Sequence, residues 1–157
     1  MNYKLFQYIR TKAHILAIVS VCALPGCGGD SDPAPTENEK VTKLLIAGGS
    51  TWMPPSTGGI TVDGVDVTDD LFAGFTITFY DGTFVTTGTS PVWLREDTWT
   101  FKDESGKVII RGQDQREVTI SEISATQLKL TLDWPESTTE SGRSGSLKGK
   151  HEFLLNK

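Results

Sequence analysis

The feature that most constrains the fold is an alternation of apolar and polar residues that recurs from Trp52 onward. In residues 127–134, four apolar side chains stand at every second position between polar ones. Successive side chains of a strand point to opposite faces, so this period predicts strands that are apolar on one face. Residues 75–80 and 146–155 repeat the pattern. One apolar face per strand predicts an all-β domain built around a shared core.

Short connections between these strands predict antiparallel neighbours. Closing the loop at residues 103–106 places Phe101 opposite Val108 and Trp99 opposite Ile110, on a shared apolar face. Residues 116–123 have the pattern of a further strand that follows a short connection. Turns and alternation together therefore predict a meander, in which each strand pairs with the next one along the chain.

About eight such strands follow one another, beginning with a segment near residues 51–62. Eight strands in a meander close most simply into an antiparallel up-and-down barrel, which is the predicted fold; a β-sandwich is the alternative. Pro54 and Pro55 remove two donors from the first strand, which is therefore expected to be broken or bulged. Connections alternate between short and long, so the long loops gather at one end, where function is expected.

A short amphipathic helix is predicted ahead of the strands. Thr36 and Glu39 have the spacing of a capping box, in which each side chain hydrogen-bonds the backbone of the other residue. Apolar residues then recur at helical spacing at Val41, Leu44 and Leu45, until two glycines end the pattern. The apolar stripe of this helix needs a surface to cover.

The N-terminus has the three parts of a secretory signal. Three basic residues and no acid precede an apolar run at residues 15–24, and Pro25, Gly26 and Cys27 follow. The run is much shorter than the roughly 20 residues that cross a bilayer. This pattern resembles bacterial lipoprotein signals, in which a cysteine after a small residue is acylated and becomes the new N-terminus. We therefore expect residues 1–26 to be removed and Cys27 to carry a lipid anchor.

The remaining chain divides into a tether and a folded domain. Residues 27–39 contain no large apolar side chain and several acids, so they are predicted to be the lipidated cysteine and a flexible acidic tether. Residues 40–157 are predicted to form the barrel domain. The formal net charge is −5 before the basic signal is removed, so the mature protein is more acidic. An acidic surface argues against nucleic acid as a partner.

Few residues are suited to catalysis or to metal binding. Both cysteines lie at or before residue 27, and His151 is the only histidine of the mature chain, so zinc sites and Ser-His-Asp triads find little support. Four acids crowd one loop, at Asp63, Asp66, Asp69 and Asp70, but their spacing does not match an EF-hand. We therefore expect no catalytic residue, no metal and no cofactor, and predict that the protein is not an enzyme.

Aromatic residues near the long-loop end suggest a ligand site. Two tryptophans and two phenylalanines are placed where they could contact an apolar or sugar-like molecule, and two arginines could meet an anionic group. The alternative is that the aromatic residues seal a packed core, since an eight-stranded interior is only just wide enough for its own side chains. The predicted ligand-binding residues are Phe72, Phe75, Trp93, Arg95, Trp134, Arg143 and the inward-facing His151.

Motifs along nearly the whole mature chain carry a family resemblance. They are the Leu24-Pro25-Gly26-Cys27 lipobox, the short tether and helix, the glycine-led Trp52, the run TVDGVDVTDDLFAGFTITF at residues 61–79, Pro91-Val92-Trp93 and Thr98-Trp99-Thr100-Phe101. Together they resemble a lipocalin-like family of bacterial lipoproteins of the Gram-negative envelope. The resemblance implies a barrel whose closed end is plugged by the helix, with Trp52 packed beside it.

The combined expectation is a lipoprotein of the outer membrane, anchored by its N-terminal lipid, that binds a small apolar or amphipathic ligand at the long-loop end. The alternative is a structural or interaction lipoprotein with a packed barrel, acting as an accessory subunit of an envelope assembly. Expected partners are the membrane, through the lipid anchor, the small ligand and an envelope protein.

Overall fold

The computed structural model describes residues 33–49, 51–135 and 148–157. All helices and strands of this part of the chain belong to the compact unit Ala34–Lys157. The α-helices are α1 (Glu37–Ile46) and α2 (Thr68–Leu71), and a short 3-10 helix (Ala47–Gly49) follows α1. The strands are β1 (Thr51–Trp52), β2 (Ile60–Val62), β3 (Val65–Asp66), β4 (Thr76–Tyr80), β5 (Thr83–Thr87), β6 (Glu96–Phe101), β7 (Val108–Arg111), β8 (Glu117–Ile123), β9 (Gln127–Trp134) and β10 (Gly149–Asn156).

These ten strands form one antiparallel, curled, barrel-like sheet in the order β1-β4-β5-β6-β7-β8-β9-β10-β2-β3. From β4 to β10 every strand pairs with its neighbour in the chain, as a meander requires. The all-β, barrel-like architecture is thus confirmed, with ten strands in place of about eight. Two causes raise the number: the predicted first strand is divided into β1 and β2, and the loop after β2 contains β3.

The expected break in the first strand is confirmed, and it lies at the two prolines. Pro54 and Pro55 are outside any strand, because neither can donate to a ladder. The segment nevertheless contacts strands on both sides. Trp52 pairs with Ile77 of β4, while Met53 exchanges two backbone hydrogen bonds with Asn156 of β10, at 2.9 and 2.8 Å.

Helix α1 begins with the predicted capping box. The Glu39 amide donates to Thr36 Oγ1, and the Thr36 amide donates to Glu39 Oε2. Val41 and Leu45 are buried against the sheet, and Trp52 Nε1 donates to the Leu45 carbonyl at 3.0 Å. This contact between the helix and the first strand anchors the predicted helix on the core.

The C-terminal lysine, Lys157, contacts the C-terminal end of α1. Lys157 Nζ lies 4.2 Å from the centroid of the Trp52 ring and donates to the Leu44 carbonyl at 3.0 Å. A cation at this position complements the negative end of the helix dipole. Burial lowers the pKa of Lys157. Near the other end of the helix, Asn38 Nδ2 donates to the Asp103 carbonyl in the β6–β7 turn, so α1 covers the end of the barrel that carries the short turns.

The expected register between β6 and β7 is wrong by one residue. Phe101 pairs with Ile109, and Trp99 pairs with Arg111. The turn is longer than predicted because the Lys102 amide donates to the Val108 carbonyl, which leaves residues 103–107 in the connection. A shift of one residue exchanges the two faces of a strand. The structure therefore turns Ile109 and Arg111 inward, where both are fully buried.

Aromatic side chains fill the interior of the sheet. Besides the fully buried Trp52, seven of them are no more than 5% exposed, and the rings of these seven meet their neighbours mostly edge to face, at centroid distances of 5.2 to 6.2 Å. Edge-to-face contacts add a favourable quadrupole term to the burial of apolar area. The seven are Phe72, Phe75, Phe79, Phe84, Trp93, Trp99 and Phe153.

Candidate functional site

A pocket lies at the end of the barrel opposite α1, where the longer connections meet. Residues 91–94, from the β5–β6 connection, form an apolar wall. The end of β7 and the β7–β8 turn form a polar wall that carries Arg111, Asp114 and Arg116. Trp134, the last residue of β9, completes the lining of a space of about 340 Å³. This volume is at the lower end of the range for small-molecule sites.

Short-range hydrogen bonds hold the apolar wall in place. The Trp93 amide donates to Ser90 Oγ at 2.9 Å, which turns the chain at Pro91. Thr86 of β5 then binds the far end of the segment, because its hydroxyl donates to the Leu94 carbonyl at 2.9 Å. These bonds fix the backbone on both sides of Trp93, whose ring packs edge to face on Phe84 in the core.

The polar wall depends on the buried Arg111. Its guanidinium donates from Nε to Asp114 Oδ1 at 3.0 Å and from Nη2 to Asp114 Oδ2, and from Nη1 to the Val92 carbonyl at 2.6 Å. An arginine can be buried only when its charge is balanced and its donors are satisfied. Arg111 therefore joins the two walls, since one residue binds the turn and the opposite loop.

Arginine and tryptophan side chains are interleaved along this pocket. Arg111 Cζ lies 5.2 Å from the centroid of the Trp93 ring and 5.8 Å from that of Trp134. Arg116 Cζ lies 4.0 Å from the Trp134 ring centroid. Such distances allow cation–π attraction, which strengthens away from water. The arrangement fixes two cationic groups and two aromatic rings beside one another.

Asp114 is the counterion of this cluster. Burial alone would raise the pKa of Asp114, but the hydrogen bond from Arg111, the amide of Arg116 and the charges of both arginines together lower it below its ordinary value. The carboxylate therefore stays ionised at neutral pH. Arg116 Nε also lies 3.3 Å from Asp114 Oδ2, so one carboxylate contacts both guanidinium groups.

Two covered indole nitrogens of the pocket lack acceptors. Nε1 of Trp93 and Nε1 of Trp134 have no hydrogen-bond partner among the described residues. The other two tryptophans differ, since Trp52 Nε1 donates to Leu45 and Trp99 Nε1 donates to the carbonyls of Tyr80 and Thr83. A covered donor without a partner costs about 1–3 kcal/mol. The two tryptophans that line the pocket are thus the two whose indole nitrogens lack a partner among the described residues.

The predicted ligand-binding residues divide into separate groups. Trp93 and Trp134 both line the pocket. Phe72, Phe75 and His151 are almost completely buried in the aromatic cluster of the interior, where the His151 ring stacks on Phe153 at 6.3 Å.

Of the remaining predicted residues, Arg95 is the one that lies within the described part of the chain. Arg95 is exposed in the segment before β6, and its carbonyl accepts from the Thr86 amide at 2.8 Å. Arg143 and Cys27 lie outside the described residues.

Sequence reasoning missed Arg111, Asp114 and Arg116. The register predicted for β7 points Ile110 inward, which would turn Arg111 outward. One signal was present: Arg111 and Asp114 have a spacing of three residues across a turn with a glycine at residue 112. The tight packing of that turn explains the glycine, because a side chain there would collide with the Thr98 hydroxyl.

Two side chains of the acidic loop, Asp63 and Asp66, accept hydrogen bonds from backbone amides. Asp66 accepts hydrogen bonds from the Gly58 amide and from the amide and hydroxyl of Thr68, and the Thr68 hydroxyl is the main reason that the pKa of Asp66 is lowered. Asp63 accepts from the Lys150 amide at 2.9 Å. Within residues 33–49, 51–135 and 148–157, no three histidine, cysteine or acidic side chains come close enough to hold a metal ion.

Comparisons with known proteins add no independent indication of function. No family model, curated protein or solved structure matches the chain. No helix within the described ranges is both long and apolar enough to cross a membrane. The functional argument therefore depends on the chemistry of the pocket.

Proposed function

We propose that this protein is a lipid-anchored lipoprotein of the cell envelope whose barrel-like domain binds a small amphipathic ligand, without catalysis, at the long-loop end. The observation that carries the proposal is the pocket between Trp93, Trp134 and the Arg111–Asp114 pair. Its two walls differ in chemistry, with residues 91–94 on the apolar side and charged residues on the other. A ligand with one apolar and one polar face would satisfy both.

The filled interior supports binding at the pocket and argues against binding deep in the barrel. Aromatic rings occupy the space that a carrier with a central cavity would leave open. We therefore place the ligand in the space beside Trp134, where the lining is fixed by Arg111 and by the Ser90–Trp93 hydrogen bond.

The proposal includes a closed, lipocalin-like barrel. Met53 bonds to β10 and Trp52 bonds to β4, so the segment at residues 51–62 supplies contacts to both neighbours of a closing strand. Counted as one interrupted strand, this segment and β4 to β10 make an up-and-down barrel. The plug formed by α1 and Trp52 supports the same family assignment.

The position of α1 also supports an orientation toward the membrane. The proposed tether, residues 27–39, leads into α1 at the end with the short turns. Because α1 begins at Glu37, residues 27–36 of this tether precede the helix. Ten extended residues reach about 35 Å, which would hold the domain clear of an outer membrane to which Cys27 is anchored. The pocket at the opposite end would then face away from the bilayer, where a ligand could reach it.

Native mass spectrometry of the full chain, gently extracted from its own cells, tests the proposal. We expect a stoichiometric additional mass on the acylated protein, and loss of that mass in Trp134→Phe, which keeps the ring but removes the indole N–H. Trp99→Phe is the matched control, because its indole is bonded away from the pocket. A bare wild-type mass, or equal loss in both variants, would contradict the proposed binding site.

A second candidate function is a packed structural or interaction module, an accessory subunit of an envelope assembly. The aromatic filling of the interior favours it, since such a core needs no ligand for stability. In that case the same extraction gives a bare mass, and crosslinking in cells gives a specific adduct with an envelope protein.

A further inference from the structure

The first strand of the sheet is interrupted by residues 53–59, a segment that we name the strap. At one end of the strap Trp52 is fully buried and pairs with Ile77, and at the other end Ile60 is fully buried and pairs with Phe153. Between these two anchors no side chain is buried. Movement of the strap therefore exposes little apolar side-chain area of its own.

The strap is also weakly attached to its neighbours. Four hydrogen bonds join it to other described residues: two between Met53 and Asn156, one from the Gly58 amide to Asp66 Oδ2 and one from the Leu154 amide to the Gly59 carbonyl. The two prolines after Met53 have no amide to donate. On its other side, β10 pairs with β9 through eight residues of each strand. Opening at the strap thus breaks far fewer bonds than separation of two strands of the meander.

Tight packing within the strap allows it to move as one piece. Gly59 lies against both proline rings, because a Cβ on Gly59 would be 2.5 Å from Pro54 Cβ and 2.9 Å from Pro55 Cδ. Gly58 has a φ of +69°, which turns the chain back toward the prolines. Since the prolines have fixed φ angles, the freedom to rotate lies mainly at the two ends of the strap.

A recess of about 260 Å³ lies beside the strap and reaches the aromatic interior. Residues 53–56 line this recess together with Phe72 and Phe75, each of which is 1% exposed. Both rings belong to the aromatic cluster that fills the sheet, and Phe72 packs edge to face on Phe153. Displacement of the strap would uncover these two rings first.

We propose that the strap is a gate, which moves away from β10 as a unit while β4 to β10 stay paired. The open gate gives a path through the side of the sheet to the rings of Phe72 and Phe75. This path is separate from the pocket beside Trp134, and the inference does not depend on a ligand at that pocket.

Amide hydrogen exchange, followed by NMR on the full ¹⁵N-labelled chain in mild detergent, tests the gate. The amides of Met53, Leu154 and Asn156 are the reporters, because each takes part in a bond between the strap and β10. Leu155 is the matched control, since successive amides of a strand point to opposite neighbours and its own points to β9. After correction for intrinsic rates, we expect the three reporters to share one protection factor, at least about 100-fold lower than that of Leu155.

The order of the rates along β10 separates the gate from two other motions. Fraying of the strand from its end would give exchange that slows steadily from Asn156 through Leu155 to Leu154, without the alternation that the gate requires. Equal protection at all four amides would show that the strap opens only when the whole domain unfolds. Either result overturns the proposal.

A disulfide lock tests the same motion directly. Because Met53 and Asn156 exchange both backbone hydrogen bonds, their Cα atoms lie about 5.5 Å apart, within the range that a disulfide spans. In oxidised Met53→Cys/Asn156→Cys, the Leu154 amide should exchange as slowly as that of Leu155, and reduction of the same protein should restore the fast rate. Fast exchange of Leu154 in the oxidised variant would show that the strap does not move as a unit, and the gate would be wrong.

Discussion

The Arg111–Asp114 pair allows a quantitative test of how the long-loop end is held together. Arg111 is fully buried, and its partner carboxylate is 27% exposed. In Asp114→Asn the guanidinium keeps its bond to the Val92 carbonyl but loses its counterion. Removal of one partner of a buried ion pair costs about 3–5 kcal/mol. Because water can approach Asp114, we expect a cost at or just below the lower limit of that range, about 2–3 kcal/mol, or roughly 10 °C in melting temperature.

Urea denaturation followed by tryptophan fluorescence measures this loss, with Glu117→Gln as the matched control. Glu117 also forms an ion pair, with Lys102, but both side chains are about half exposed, so its loss should cost no more than about 1 kcal/mol. The decisive comparison is Asp114→Asn in an Arg111→Met background, where the fully buried charge is absent and Asp114 keeps only its contact with the partly exposed Arg116. If Asp114→Asn costs as much there as in the wild type, the ion-pair account is refuted.

The same pair predicts a pH dependence. The folded pKa of Asp114 is lowered, so the unfolded chain takes up its proton first as the solution is acidified. The stabilisation is therefore complete above the ordinary pKa of an aspartate, about 4, and is lost as the pH falls through the lower folded pKa. We expect the difference in unfolding free energy between wild type and Asp114→Asn to shrink below about pH 4. A constant difference down to pH 2 would contradict the assignment.

Three further predictions concern other parts of the molecule. Gly88→Ala should destabilise the fold by at least about 2 kcal/mol in the urea denaturation assay. Gly88 has a φ of +71°, and the methyl group of an alanine there would collide with the Gly74 carbonyl. Gly82→Ala is the control, because Gly82 has a φ of +70° but open space around it, and its substitution should cost only about 1 kcal/mol. Lys157→Met should lower stability by about 1 kcal/mol, since it removes the cation at the C-terminus of α1; an unchanged urea midpoint would contradict that role. Cys27→Ala should leave the protein unprocessed or soluble on membrane fractionation, whereas a mature acylated variant would show that the lipobox interpretation is wrong.

Local patterns in the sequence were sufficient for the elements of the fold. Residues 127–134 alternate over eight positions, and β9 has those bounds with its leucines buried. Thr36 and Glu39 predicted the start of α1 because a capping box involves only neighbouring residues. Pro54 and Pro55 predicted the break in the first strand because proline lacks the donor that a ladder requires. Each of these features is decided within a few residues of chain.

The candidate site depended on information that no local pattern contains. The β6–β7 register was set by a turn one residue longer than its sequence indicated, and that residue turned Arg111 from the surface into the interior. Trp93 and Trp134 were found by their type and their place in the chain, but their contact with Arg111 joins segments separated by about 20 residues on either side. The sequence by itself thus determined the strands of the meander, helix α1 and the end at which the long loops gather, but not β3 or α2. Only the tertiary structure decided which charges lie between the aromatic rings, because a side chain's face follows from the register of its strand, and register is fixed by packing across the whole sheet.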